Sequence, residues 1–191
     1  MLKGIDISHH NKYQFNDGTL KIDEAEFIMM KASEGRTYKD PMFDTYMEYI
    51  EKSDKPYGFY HYARPENNDA ITEAKHFCDT IGSDGVGAML ALDWEGKAIT
   101  QDLDWALDWL RYVERVYGKK PLFYCSASFT SKLNNIYKNG NGLWVAHYTK
   151  NKKPTVKVYP FYAMWQYTSS PYDKDYFNGT VEQWYKYVEQ H

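Results

Sequence analysis

Residues 87–95 read Gly-Ala-Met-Leu-Ala-Leu-Asp-Trp-Glu, and the prediction of the fold starts from this stretch. A glycine precedes a run of apolar residues and an acidic residue follows it, as expected of a short buried strand. Side chains of a strand alternate between its two faces, so Asp93 and Glu95 point the same way as Ala91 where the chain stays extended. The stretch therefore predicts a buried strand that carries two carboxylates at its C-terminal end.

Other stretches share these features: they are short, rich in apolar and aromatic residues, and bounded by Gly, Pro, Asn or Asp. Together with the first stretch they make seven predicted strands, namely Lys3–Ile7, Glu26–Lys31, Pro56–Tyr62, Gly87–Asp93, Pro121–Cys125, Leu143–Tyr148 and Phe161–Gln166.

Amphipathic helices are predicted between several of these strands. Asp40 is expected to cap a helix that has Pro41 at its first position and an apolar stripe ending at Ile50. Asn68 or Asp69 is expected to cap the next helix, whose apolar residues recur at helical spacing.

The strongest helical pattern runs over residues 103–117, where apolar side chains share one face. Thr100 is expected to cap this helix, and Gly118 lies just past its end. Two further helices are predicted, one over about 128–137 and one that begins near Thr180.

Strands that alternate with helices predict an α/β fold with a mostly parallel sheet and right-handed crossovers. Because no repeat or linker divides the 191 residues, we expect a single domain over residues 1–191. Seven strands in one domain favour a barrel over an open sheet. The glycine-rich dinucleotide motif and the phosphate-binding loop are missing from the sequence, which argues against nucleotide binding.

Composition excludes several classes of function. Lys plus Arg number 23 and Asp plus Glu number 26, giving a net charge of −3, which argues against a nucleic-acid partner held by phosphate contacts. No apolar run approaches the roughly 20 residues of a membrane span. The N-terminus has no apolar signal-peptide core, so we expect synthesis in the cytoplasm without an export signal. Cys78 and Cys125 fit no metal or redox spacing and are expected to stay reduced.

Acidic residues follow several of the predicted strands. In a parallel barrel the active site lies at the C-terminal strand ends, where Asp6, Asp93, Glu95 and, after the last strand, Asp173 fall. Two carboxylates on one face repel each other, so their pKa values separate and one keeps its proton. Glycoside hydrolysis needs such a pair, a proton donor beside a negative group. Alternatively, Asp93 caps the next loop, Glu95 is solvated and Asp173 is a turn residue.

Aromatic and polar side chains also gather at these strand ends. Aromatic faces pack on the apolar faces of sugar rings, and polar groups then bind the hydroxyl or acetamido groups. Alternatively, some of these rings belong to the core, because side chains alternate between the two faces of a strand. The predicted sugar contacts are Tyr60, Tyr62, Arg64, Tyr124, Trp144, Tyr148, Trp165 and Gln166.

Six motifs occur in the order found in one known family, and together they resemble glycoside hydrolase family 25, the Chalaropsis-type lysozymes common among phage endolysins. They are Lys3–Ser8 (KGIDIS), Lys31–Gly35 (KASEG), Tyr57–Tyr62 (YGFYHY), Leu92–Glu95 (LDWE), Leu143–Ala146 (LWVA) and Trp165–Tyr167 (WQY). Asp173, followed by Phe177-Asn178-Gly179, is similar to the closing motif of the family. The resemblance therefore covers nearly the whole chain.

The resemblance implies a flattened, irregular barrel of the TIM type, with helices missing around the last strands. It also implies hydrolysis of the β-1,4 bond between N-acetylmuramic acid and N-acetylglucosamine in bacterial peptidoglycan, with no metal or other cofactor. Glu95 would be the general acid and Asp93 would stabilise positive charge or orient the acetamido group, with Asp6 and Asp173 as supporting carboxylates. Lys31 and Glu34, from the second motif, are included among the substrate contacts.

The catalytic route stays open at this point. A water activated by the second carboxylate requires carboxyl groups about 6.5–9.5 Å apart, and a direct nucleophile requires about 5–5.5 Å. The Asp-x-Glu spacing favours a third route, in which the acetamido oxygen of the substrate attacks. The chain departs from the usual family form at His147 and at Lys174-Asp175. His9-His10 is expected to form hydrogen bonds at the rim of the cleft rather than to bind metal.

Three other functions compete with this prediction. A related hydrolase acting on chitin would release chitin fragments, a non-catalytic wall-binding barrel would bind sugar without turnover, and a metal-dependent amidohydrolase would lose activity with a chelator. We expect a monomer with no membrane partner that reaches the wall after cell lysis, through a phage holin, or in a phage particle. The lysines in 150–157 either contact the anionic wall or form a solvated loop.

Overall fold

The computed structural model describes residues 1–149 and 153–189, so Lys150 and Lys152 of the predicted wall-contacting segment lie outside the described residues. The strands are β1 Leu2–Ile7, β2 Phe27–Glu34, β3 Tyr38–Lys39, β4 Tyr57–Tyr62, β5 Met89–Asp93, β6 Leu122–Ser126, β7 Leu143–Ala146, β8 Met164–Thr168 and β9 Lys174–Phe177. The α-helices are α1 Lys12–Asn16, α2 Phe43–Ile50, α3 Ala70–Ile81, α4 Leu103–Tyr117, α5 Asn134–Lys138 and α6 Val181–Val188.

Eight of the strands close into a barrel, in the order β1-β9-β8-β7-β6-β5-β4-β2, because β1 also pairs with β2. Neighbouring strands run parallel except at β9, which is antiparallel to both β1 and β8. The short β3 adds to the outer edge of β2 as an antiparallel strand. The predicted irregular α/β barrel is confirmed, and the antiparallel β9 is one source of its irregularity.

Helices cover only part of the barrel. α2, α3, α4 and α5 follow β3, β4, β5 and β6, whereas no helix occurs among the described residues between β7 and β8 or between β8 and β9. The expected loss of helices around the last strands is therefore confirmed over the described ranges. None of the helices in 1–149 and 153–189 has the length and apolar character needed to cross a membrane.

The end of the barrel opposite the C-terminal strand ends is filled by apolar side chains. Trp184 of α6 is fully buried there, and its ring lies 5.0 Å from the rings of both Phe27 and Phe177. Met29 and Met89 continue this packing inside the barrel. Because apolar groups fill this end, polar side chains inside the barrel are confined to the other end.

Two helix starts differ from the predictions. Asp102, rather than Thr100, caps α4, because the chain at Thr100 still forms a 3₁₀ turn that begins at Gly96. The Asp40 side chain accepts the N–H of Met42, and the regular helix begins one residue later, at Phe43. The prediction that Asp69 caps α3 is confirmed, since its carboxylate accepts the Thr72 N–H.

Two further segments also differ. The predicted helix over about 128–137 is a 3₁₀ segment, Ala127–Lys132, followed by the short α5. No strand was predicted at β9. Pairing with neighbours on both sides forms β9, and local sequence pattern does not report such pairing. Cys78 and Cys125 are buried and are not bonded to each other.

Candidate active site

The C-terminal ends of the barrel strands surround a cavity of about 190 Å³. Its lining contains all four predicted catalytic carboxylates and seven of the ten predicted sugar contacts. The lining residues are Asp6, Ser8, His10, Lys31, Tyr60, Tyr62, Asp93, Glu95, Tyr124, Trp144, Tyr148, Gln166 and Asp173. The fold thus brings together side chains from both ends of the chain.

Strand β5 positions the first two carboxylates as strand alternation predicts. Asp93 ends the strand, and the backbone at Glu95 remains extended, so both side chains reach the cavity. Trp94, between them, is fully buried on the other face, against Phe123. Gly96 then turns the chain with a φ of +56°, and a Cβ at this position would lie 2.5 Å from the Tyr62 hydroxyl.

Asp93 is a buried carboxyl with few partners. One of its oxygens, Oδ1, meets no hydrogen-bond donor among the described residues. Burial, and then the charge of Glu95, hold the pKa of Asp93 well above its usual range, while Lys31 acts in the opposite direction. The site therefore favours a proton on Asp93, or a ligand group that donates to it.

Glu95 remains accessible to solvent, although the protein crowds its carboxyl on the side of the cavity. This partial burial, and then the charge of Asp6, raise the pKa of Glu95, and Lys31 opposes the rise. A raised pKa at the edge of a cavity favours the protonated form of the carboxyl, which can donate its proton to a bound molecule.

Asp6 is held in place by side chains from neighbouring strands. The Gln166 amide Nε2 donates to Asp6 Oδ2 at 2.8 Å. The hydroxyls of Tyr124 and Tyr148 donate to Gln166 Oε1 at 2.9 and 2.7 Å. These two bonds set the orientation of the amide, so its NH₂ group faces Asp6. Burial raises the pKa of Asp6, and its hydrogen bonds oppose this.

Asp173 lies just before β9 and lines the cavity from the side opposite β5 in the barrel order. Burial, followed by the charges of Asp6 and Glu95, raises the pKa of Asp173 to about 7. The turn interpretation of Asp173 therefore gives way to a position within the acidic cluster.

Asp175 is a member of this acidic cluster that the sequence analysis missed. Its side chain is fully buried, accepts a hydrogen bond from Trp144 Nε1 at 2.8 Å, and is in hydrogen-bond contact with Asp6. The signal was present in the sequence, because Asp173 and Asp175 are two residues apart and share one face of an extended chain. It was overlooked because no strand was predicted there.

Three predicted sugar contacts lie outside the cavity lining. Glu34 binds Lys31 Nζ through Oε2 at 2.6 Å and Arg64 Nε through Oε1 at 2.7 Å. Lys31 lines the cavity, and its Nζ lies 4.8 Å from the centre of the Tyr62 ring. The Arg64 guanidinium lies at the same distance from the centre of that ring. Glu34 and Arg64 thus hold Lys31 and Tyr62 in place from beside the cavity.

Trp165, the third of these residues, lies on the outer face of β8 and not in the lining of the cavity. It follows Met164 and precedes Gln166, both of which face into the barrel, so its ring points outward. There it packs against Tyr176, and its Nε1 donates to the backbone oxygen of His147. Strand alternation requires this outcome once Gln166 is directed inward.

A second cavity, of about 530 Å³, adjoins the first at Glu95, Tyr124 and Tyr148. The rest of its lining is mainly apolar or small: Trp94, Gly96, Ile99, Ser126, Ala127, Ser128, Ala146 and His147. Glu95 therefore stands between an acidic cavity and a larger, more apolar one. An extended ligand in both would pass directly by its carboxyl.

The paired histidines take different positions. His10 lines the acidic cavity, whereas His9 Nδ1 lies 2.9 Å from Asp40 Oδ2. Within 1–149 and 153–189, no group of three or more His, Cys, Asp or Glu side chains has an arrangement suited to a metal ion.

The chain is similar in sequence to known proteins. The family model described as "Glycosyl hydrolases family 25" matches residues 5–176. The uncharacterized protein YegX of Escherichia coli (strain K12) is 30% identical over 175 residues, which are 86% of this chain and 63% of YegX. The autolytic lysozyme of Clostridium acetobutylicum is 31% identical over 174 residues, covering 88% of this chain and 51% of that protein.

Solved structures also resemble the chain. The family GH25 lysozyme from Aspergillus fumigatus superposes with a TM-score of 0.82, is 26% identical, and is covered over 98% of both chains. The chain spans 63% and 51% of the lengths of the two curated relatives above. Because the family model matches most of its length, this chain belongs to glycosyl hydrolases family 25.

Proposed function

We propose that this chain is an N-acetylmuramidase, which hydrolyses the β-1,4 bond between N-acetylmuramic acid and N-acetylglucosamine in bacterial peptidoglycan. The observation that carries the proposal is the acidic cavity, in which Asp93 and Glu95 lie on one face with raised pKa values. Membership of the family supports it, and so do relatives that carry the name lysozyme.

Glu95 serves as the general acid in this proposal. It lies where the two cavities meet, so a polysaccharide chain that occupies both would place a glycosidic oxygen beside its carboxyl. Its raised pKa favours the protonated form, which can transfer its proton to the leaving oxygen. The bond breaks as that proton is transferred, and the sugar in the acidic cavity develops positive charge.

Asp93 binds the 2-acetamido group of the sugar and stabilises the positive charge in this proposal. Its Oδ1 is buried and free of donors among the described residues, so it can accept the N–H of a 2-acetamido group. That hydrogen bond would orient the acetamido oxygen towards the anomeric carbon and stabilise the positive charge that forms. We therefore favour the substrate-assisted route, in which the acetamido oxygen attacks the anomeric carbon as the glycosidic bond breaks. Water then attacks the same carbon, releases the acetamido oxygen and returns a proton to Glu95, so the product keeps its anomeric configuration.

Asp6 and Asp173 support this charge from the opposite side of the cavity. Both are acidic groups in a largely buried site, where electrostatic stabilisation is stronger than in water. As a part of the same proposal, the protein acts on the wall after its release from the cell that makes it.

Mass spectrometry of digested peptidoglycan tests the proposal. We expect fragments that end in reducing N-acetylmuramic acid, because the bond on that side of muramic acid is cut. Fragments that end in reducing N-acetylglucosamine, or release from chitin oligomers but not from peptidoglycan, would contradict it. Sugar binding without any new reducing ends would identify a wall-binding barrel instead. NMR of the first-formed anomer tests the route, and an inverted product would exclude substrate assistance.

A further inference from the structure

Asp175 is placed deep in the barrel wall by its strand. In β9 it pairs with Gly4 of β1 on one side and with Gln166 of β8 on the other. It lies two residues beyond Asp173, away from the mouth of the barrel, and its side chain is fully buried. No solvent reaches this carboxyl, so its neighbours determine its protonation.

Those neighbours include one donor and one other acid. The indole Nε1 of Trp144 donates to Asp175 Oδ1 at 2.8 Å. The second oxygen, Oδ2, has no conventional donor among the residues that the structure describes. The remaining contact of this carboxyl is with the carboxyl of Asp6, which is also buried.

Among the residues that the structure describes, no cation forms an ion pair with either of these two acids. The titratable groups that face Asp175 are Asp6 on β1 and Asp173 at the start of its own segment. Lys174 lies over the Tyr172 ring at 5.0 Å, and Lys31 is paired with Glu34. β7 and β8 present only the neutral side chains of Trp144 and Gln166. Two ionised carboxylates in contact in such a site would be strongly unfavourable.

We propose that Asp175 is a neutral carboxylic acid whose O–H donates to Asp6, and that this bond keeps Asp6 ionised and oriented towards the cavity. Asp6 then accepts two hydrogen bonds, one from Gln166 Nε2 and one from Asp175. Asp175 is a positioning residue, since it acts through Asp6 and does not line the cavity. Its effect on catalysis rests on the function proposed above, whereas its protonation does not.

Carbon-13 NMR of protein labelled at the aspartate carboxyl carbons tests the protonation directly. Between about pH 5 and about pH 8, we expect a resonance with the shift of a protonated acid that disappears in Asp175→Asn and persists in Asp173→Asn. If the resonance lost in Asp175→Asn has the shift of an ionised carboxylate over that range, the proposal is overturned. This readout needs no turnover, so it stands even if the protein hydrolyses nothing.

Activity against peptidoglycan tests the positioning role through two variants. Asp175→Asn keeps an N–H donor towards Asp6, so kcat should stay within about tenfold and the acid limb of the pH profile should not move. Asp175→Leu removes the donor, so kcat should fall by more than about tenfold with little change in KM.

The pH profile of Asp175→Leu separates this role from general damage to the fold. Without the donated hydrogen bond the pKa of Asp6 rises, so the acid limb should move to higher pH. An acid limb that moves to lower pH in both variants would show that Asp175 is ionised and would overturn the proposal. Equal loss at every pH in both variants, with native circular dichroism, would show that Asp175 only fills space and would also overturn it.

Discussion

Two clusters of buried polar side chains in this barrel have opposite character. The mouth cluster consists of Asp6, Asp93, Glu95 and Asp173, which line the cavity, together with Asp175, which lies behind Asp6. The His61 network consists of Ser33, His61, Glu73 and Asn68, and it lies between the barrel and α3. Both contain carboxyl groups removed from water, but only one of them has partners for nearly all its polar atoms.

The His61 network is completely paired. Ser33 Oγ and Glu73 Oε2 each lie 2.8 Å from a ring nitrogen of His61, and Asn68 Nδ2 donates to Glu73 Oε1 at 2.7 Å. Burial lowers the pKa of His61, so the ring is neutral, accepts from Ser33 and donates to Glu73. The arrangement resembles the Ser-His-acid set of some hydrolases, yet Ser33 is fully buried. We therefore interpret it as structural.

The mouth cluster lacks such partners. Asp93 Oδ1 and Asp175 Oδ2 have no conventional donor among the described residues, and all five pKa values are raised by burial first of all. Unmet hydrogen-bonding capacity at an open cavity, rather than burial alone, thus distinguishes the candidate active site from the structural network. Variants of the two clusters should therefore separate activity from stability.

The largest effect is expected for Glu95→Gln. This substitution keeps the size of the side chain but removes the proton that the reaction transfers, so lysis of peptidoglycan should fall by at least about 100-fold. Turbidity of a cell-wall suspension measures it. Glu48→Gln, on an exposed position of α2, is the matched control and should lyse at the normal rate. Near-normal lysis by Glu95→Gln would remove Glu95 from the role of general acid.

Glu73→Leu should lower the stability of the protein and leave most of its activity, in contrast to Glu95→Gln. It leaves His61 Nε2, Asn68 Nδ2 and the Arg64 N–H without their acceptor, and the cost should be about 3 kcal/mol of unfolding free energy. Urea denaturation measures this, and the protein that remains folded should keep most of its activity. Glu48→Leu serves as the control. A cost below about 1 kcal/mol would mean that the His61 network is not a structural element.

Asp93→Asn should abolish activity and raise stability. The pKa of Asp93 is raised by folding, so its contribution to stability is present at low pH and is lost as the pH rises through the folded-state value. The variant should gain on the order of 1 kcal/mol at pH 7, or roughly 2–4 °C in Tm, and less at acidic pH. Thermal unfolding at both pH values measures the gain, with the exposed Asp108→Asn as the control. Destabilisation at neutral pH would refute this account.

Lys31→Met should have the smallest effect. Lys31 lowers the pKa values of Asp93 and Glu95, so its removal should raise the pKa of Glu95 further. The alkaline limb of the pH–activity profile should then move to higher pH by less than about one unit. Lys97→Met, at an exposed position close to Glu95 in sequence, should leave the limb in place. A shift to lower pH would show that another group sets this limb.

Much of the barrel could be predicted because its signals are local. The apolar run before Asp93 predicted β5, and the stripe between Leu103 and Tyr117 predicted α4, because both patterns follow the geometry of a single element. The cap of α4 was misplaced because Thr100 and Asp102 are both capping residues. The 3₁₀ turn after Glu95 decides between them, and propensity alone does not predict it.

Part of the candidate site could also be predicted, because its signals are local. Asp6, Asp93 and Glu95 could be placed because each lies at or just after the C-terminal end of an apolar strand, whereas β9 was not predicted and Asp175 was missed with it. Trp165 and Gln166 were both predicted as sugar contacts, and the structure directs Gln166 inward, where it donates to Asp6, 160 residues earlier in the chain. Contacts of that range leave no periodic signal in the sequence.

By itself, the sequence determined the order of seven strands and most of the helices, the alternation that directs Asp93 and Glu95 to one face, and the motifs of the family. Only the tertiary structure decided which carboxyl groups meet, which of them lack partners and where the cavity extends. The physical reason is that secondary structure follows from the chemistry of near neighbours along the chain. The proton affinity of a buried acid instead follows from neighbours in space, which the closure of the barrel brings together.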